Sequence, residues 1–87
     1  MIDPAETRQR LNTLTSTQLL VLQLSMRGDS TGEVAGALRA RGRVMSLRTI
    51  EVHRDSVVNK IGIRPFRRLI PTLWEFGLAQ EILRQDP

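Results

Sequence analysis

The stretch Ser46-Leu-Arg-Thr-Ile-Glu-Val-His-Arg-Asp-Ser-Val-Val-Asn-Lys-Ile-Gly62 decides the fold. Ser46 has a side-chain oxygen suited to a helix N-cap, and Gly62 suits a helix end. Between them Leu47, Ile50, Val57, Val58 and Ile61 return at three- and four-residue spacing, which predicts one apolar stripe on an α-helix. With Ile50 at the centre of that stripe, steps of about 100° per residue place Arg48, Glu51, Val52, Asp55 and Asn59 on the opposite arc. Arg54 falls on the apolar side.

Three further helical segments flank this one. The first opens at Thr15, where Gln18 completes a capping-box pattern, and stops at Gly28 after Leu19, Leu20, Val21, Leu22, Leu24 and Met26. The second opens at Ser30 with Glu33 in the matching position, carries Val34, Ala35 and Leu38 on one face, and ends between Arg39 and Gly42. Gly36 inside it lowers helix propensity and suggests a close helix approach. The last begins near Pro65 and runs through Leu69, Ile70, Leu73, Trp74 and Phe76 to Gly77, with Pro71 expected to kink or divide it. Residues 78–84 allow a short additional helix. Strand alternation is missing, so the expected class is all-α: four main helices between ragged ends.

Composition narrows the function. Eighty-seven residues without cysteine allow one small domain with no disulfide framework. The longest apolar run, residues 19–22, is too short to span a membrane, and the N-terminus lacks signal-peptide features, so a cytoplasmic location is expected. Twelve arginines and one lysine face nine acids, for a net charge of +4. Nine of those cations lie in residues 39–68 against Glu51 and Asp55 alone, while the remaining segments hold four arginines against seven acids. A cationic centre between mildly acidic ends suits a polyanion, with nucleic acid first. One histidine and no cysteine argue against a metal site, and His53 reads as a packed residue. Without a nucleophile–base pair, a phosphate loop or a metal cluster, neither an enzyme nor a cofactor is expected.

Two short helices joined by a turn, the later one polar outside, describe a helix-turn-helix. Leu14-Thr15, Val21-Leu22, Gly28, Glu33-Val34-Ala35, the run from Ser46 to Arg54 and Lys60-Ile61-Gly62 resemble the LuxR/GerE-type DNA-binding domain. Arg48 to Arg54 is most similar to the FixJ-like (FixJ/NarL) branch, and Glu75-Phe76-Gly77-Leu78 resembles that family's ending. The likeness covers residues 14–78, leaving an N-terminal arm (1–13) and a C-terminal extension (79–87).

The resemblance implies a stand-alone, sequence-specific transcription regulator that binds double-stranded DNA as a homodimer. Its third helix would enter the major groove, with Arg48, Thr49, Glu51, Val52, Asp55 and Asn59 facing bases. Val52 suits a thymine methyl, and Glu51 or Asp55 suits the cytosine amino group. Phosphate contacts are expected from Thr31, Arg41, Arg43, Arg54 and Lys60, although Arg54 also suits a structural hydrogen bond. The resemblance assigns dimer contacts to the fourth helix, at Leu69, Leu73 and Trp74.

Two departures from the pattern stand out. About five extra residues, 41–45, lengthen the turn between the second and third helices. Leu19 and Leu20 replace residues that are commonly polar, so they either pack on the C-terminal extension or face a partner. The second option supports an alternative function, as an interaction module for another regulator or RNA polymerase.

Overall fold

In the computed structural model residues 3–28 and 30–86 are described, and among them lie six α-helices and no strand. These are α1 (Pro4–Leu11), α2 (Ser16–Met26), α3 (Thr31–Ala40), α4 (Leu47–Ile61), α5 (Phe66–Glu75) and α6 (Ala79–Arg84). The all-α class holds, with two helices beyond the expected four.

The core forms around α2, because residues 20–26 of that helix are all buried. Leu22 and Met26 join Val57 and Ile61 of α4, Leu69 and Leu73 of α5, and Leu78, Ala79 and Ile82 at the C-terminal end. Leu20, Val21 and Leu24 join Val34 and Leu38 of α3 and Ile50 of α4. A helix apolar on every side must be covered on every side. The polar residues within that buried stretch, Gln23 and Ser25, both find hydrogen-bond partners. Gln23 Nε2 donates to the carbonyls of Ile82 and Gln85 at 2.7 and 2.8 Å, and Ser25 Oγ donates to the Val21 carbonyl.

The helix starts behave as their residue types demand. Thr15 and Gln18 form a reciprocal capping box, as do Ser30 and Glu33, and the Ser46 hydroxyl accepts from the Thr49 N–H at 3.1 Å. Residues 41–46 join α3 to α4. Gly42 adopts φ +78°, which lets the Arg43 N–H reach back to the Leu38 carbonyl at 2.9 Å and closes the end of α3. Arg43 Nη1 then donates to Thr17 Oγ1 at 3.0 Å, pinning the turn to α2.

Several expectations change. Residues 4–11 of the expected N-terminal arm are helical. Asp3 caps α1 through Glu6 N–H at 2.7 Å, with Pro4 at the first helical position. Thr7 is fully buried, Arg10 Nη1 donates to the Ile61 carbonyl, and Arg8 pairs with Glu81 of α6. Pro71 does not divide α5, which runs unbroken from Phe66 to Glu75. The proline is exposed, so its missing N–H leaves the Arg67 carbonyl on the water side. Leu47 is 53% exposed instead of joining the buried stripe, because it sits in the first turn of α4. Gly36 makes no close approach either. A Cβ there would meet nothing within 4 Å.

Two predictions follow from these local environments. Gly36→Ala should raise stability by about 1 kcal/mol in urea unfolding, since the helix gains propensity at no steric cost. The second concerns the capping boxes. Hydrogen bonds from Ser30, first its main-chain N–H and then its hydroxyl, hold the exposed Glu33 carboxyl below its ordinary value of 4.5. Those bonds favour the ionised form, so the contribution is complete above 4.5 and disappears as pH falls through the lower folded-state value. The Ser30 amide resonance should therefore titrate with an apparent pKa below 4.5. That of Thr15, whose partner is the neutral Gln18 amide, should stay still through the same range.

Candidate nucleic-acid interface

With Ile50, Val57, Val58 and Ile61 buried, α4 turns its opposite arc outward. Arg48, Thr49, Glu51, Val52, Asp55 and Asn59 are all exposed. The structure therefore brings the six candidate base-facing residues together on one surface. They are not equally available. Thr49 Oγ1 shares a 2.9 Å hydrogen bond with Ser46 Oγ, so its hydroxyl helps cap the helix. The Asn59 amide oxygen accepts from Arg64, which leaves its NH2 group as the outward donor. Glu51 and Asp55 lie one turn apart and border a hollow of about 370 Å³ that Phe66 and Arg67 also line. Two apolar side chains of α4 reach solvent: Val52, 47% exposed on the outward arc, and Leu47, exposed at the uncovered start of the helix.

The expected phosphate contacts are placed differently from one another. Arg54, half-buried, donates from Nε to Ser25 Oγ at 3.2 Å and from Nη1 to Thr31 Oγ1 at 2.8 Å. Its guanidinium also stands 5.1 Å from the centre of the Phe66 ring. Burial pushes its pKa below the ordinary arginine value, with Glu51 acting in the opposite direction. One side chain thus ties α4 to α2, to the start of α3 and to α5. Thr31 is engaged in the same tie. Lys60 Nζ donates to the Thr13 carbonyl at 3.0 Å and to Gln18 Oε1 at 2.7 Å, joining α4 to the start of α2. Arg41 and Arg43 lie on the α3–α4 turn, with Arg41 Nη1 donating to the Ala37 carbonyl. Arg64, Arg67 and Arg68 form a further exposed basic group around the start of α5. The charge count contained them, although no helical pattern singled them out.

Two of the three dimer candidates are corrected. Leu69 and Leu73 are fully buried inside one protomer, where the α5 face is consumed by α4 and α6. Trp74 differs, at 49% exposure. The partner surface imagined at Leu19 and Leu20 is also absent. Leu20 is buried beside Val34 and Leu38, and Leu19 packs against the cluster that holds Leu78, Ala79 and Ile82. Among the described residues no group of three or more His, Cys, Asp or Glu side chains is placed to hold a metal ion, and no helix is long and apolar enough to cross a membrane.

Residues 12–70, from just before α2 into α5, match the luxR family of bacterial regulatory proteins, the GerE group. The chain belongs to that family. Helices α1 and α6 lie outside the matched range. No curated protein and no solved structure matches the chain.

The bonding of Arg54 leads to a prediction about its role. Arg54→Ala should cost about 1–3 kcal/mol in urea unfolding, because it leaves buried and half-buried hydroxyls without their charged donor. Arg54→Lys should lose most of that stability too. An ammonium keeps the charge but cannot reproduce the guanidinium fork or its stacking on Phe66. Full stability in the lysine variant would mean that charge alone matters at this position.

Proposed function

We propose that this chain is a sequence-specific DNA-binding transcription regulator that reads the major groove with α4. The supporting observation is the division of α4 into an apolar stripe buried at Ile50, Val57, Val58 and Ile61 and an exposed arc of hydrogen-bonding and small apolar side chains. An α-helix fits the major groove, where base edges present distinct donor, acceptor and methyl patterns. Arg48 would address guanine, Glu51 or Asp55 the cytosine amino group, and Val52 with Leu47 the thymine methyl. Since Arg54 and Lys60 are engaged inside the domain, we assign phosphate anchoring first to Arg41, Arg43, Arg64, Arg67 and Arg68. Self-association, if it pairs half-sites, would pass through Trp74 on the outer face of α5, with Arg67 and Pro71 beside it.

Binding should be measured by fluorescence anisotropy on a duplex enriched from genomic fragments. The logarithm of affinity should fall against the logarithm of salt with a slope of about −3 or steeper, given three or more phosphate contacts. Arg48→Ala should weaken binding to the enriched duplex about tenfold or more and random duplex far less. Absence of salt-sensitive binding at low ionic strength would sink the reading. Sedimentation on the same duplex tests the pairing: Trp74→Ala should bind one protomer at a time where the parent chain binds two.

A further inference from the structure

A second concave site lies between α2, the α3–α4 turn and the C-terminal segment. It is a cavity of about 360 Å³, walled by Arg27, Arg41 and Arg43 and floored by Leu20, Leu24 and Leu83, with Asp86 the one acid among the described lining residues. That volume falls within the range of small-molecule pockets. Its walls are held in place. Gln23, which also lines it, binds the carbonyls of Ile82 and Gln85, and Arg43 is anchored on Thr17. Among the described lining residues, three guanidinium groups stand against one carboxylate, an excess of positive charge at the rim. Guanidinium forks match phosphate and carboxylate oxygens in geometry as well as charge. The leucines below offer nothing to an inorganic ion, but they suit a short apolar body.

We propose that this cavity binds a small amphipathic organic anion, a phosphate or carboxylate carried on an apolar or aromatic group. The lining comes from α2 and its end, from the α3–α4 turn and from the segment after α5, the last outside the family match. The site is separate from the outward arc of α4, and it stands whether or not α4 reads DNA. DNA backbone phosphates share the headgroup chemistry without the apolar body, which allows the two sources to be told apart.

The test is a chemical-shift titration of the full chain with phenyl phosphate, with inorganic phosphate, and with duplex DNA. Phenyl phosphate should saturate and shift the amides of Leu24, Arg43 and Leu83. It should bind about tenfold or more tightly than inorganic phosphate, because the ring buries apolar area on the leucine floor. Arg27→Gln should weaken it about tenfold, while Arg68→Gln, an equal charge change on α5, should leave it unaltered. Equal affinity for the two phosphates would overturn the proposal. So would equal loss in both variants, or shifts at Leu24 and Leu83 with duplex DNA alone.

Discussion

Helix α2 has no solvent face, and the rest of the domain is arranged to cover it. Seven consecutive residues, 20–26, must leave water, which no single neighbouring helix can achieve. One side is closed by α3 and the first half of α4, another by the second half of α4 with α5 and α6. Because α4 serves both clusters, its apolar stripe is used along nearly its whole length. Its outward arc is consequently held in one orientation by contacts made on the opposite side. A small domain gains a rigid presenting surface in this way without a large core.

The helices were legible wherever side chain and backbone interact within four residues. Thr15 with Gln18, Ser30 with Glu33, and Ser46 and Gly62 around α4 are local signals, and each marks a real boundary. The same logic was available at Asp3, Pro4 and Glu6, yet eight residues with little apolar content do not announce a packed helix. Helix α1 is held because Arg10 and Arg8 find partners distant in sequence, at the Ile61 carbonyl and at Glu81. Distance in sequence also explains the errors at α5. Periodicity shows that Leu69 and Leu73 share a face, but not whether that face meets another protomer or α4 and α6. Leu47 failed for the opposite reason: it keeps the spacing of the stripe but lies beyond the last neighbour able to cover it.

The candidate site was legible as a set and not as individual roles. Wheel geometry found the outward arc of α4 because burial of the other side dictates it. What each polar atom does depends on neighbours from other segments. Arg54 and Lys60 look like phosphate contacts by charge, and both turn inward to hydroxyls, an amide oxygen and a carbonyl. Reading Arg54 on the apolar side of the wheel already pointed that way. The arginines of the α3–α4 turn are similar, since their surroundings depend on Thr17 and on the C-terminal segment some forty residues away.

Several ties between helices run from a side chain to a main-chain carbonyl: Gln23 to Ile82 and Gln85, Arg10 to Ile61, and Lys60 to Thr13. A carbonyl is present whatever residue carries it. Each tie thus demands conservation at its donor end and leaves the acceptor end open to drift. In a lineage of such chains, Thr13 and Gln85 are free to change identity, whereas Arg10, Gln23 and Lys60 are not. The domain's outer segments can then accumulate new chemistry at little risk to the helices they fasten, and a tail so attached is a natural place for relatives to diverge.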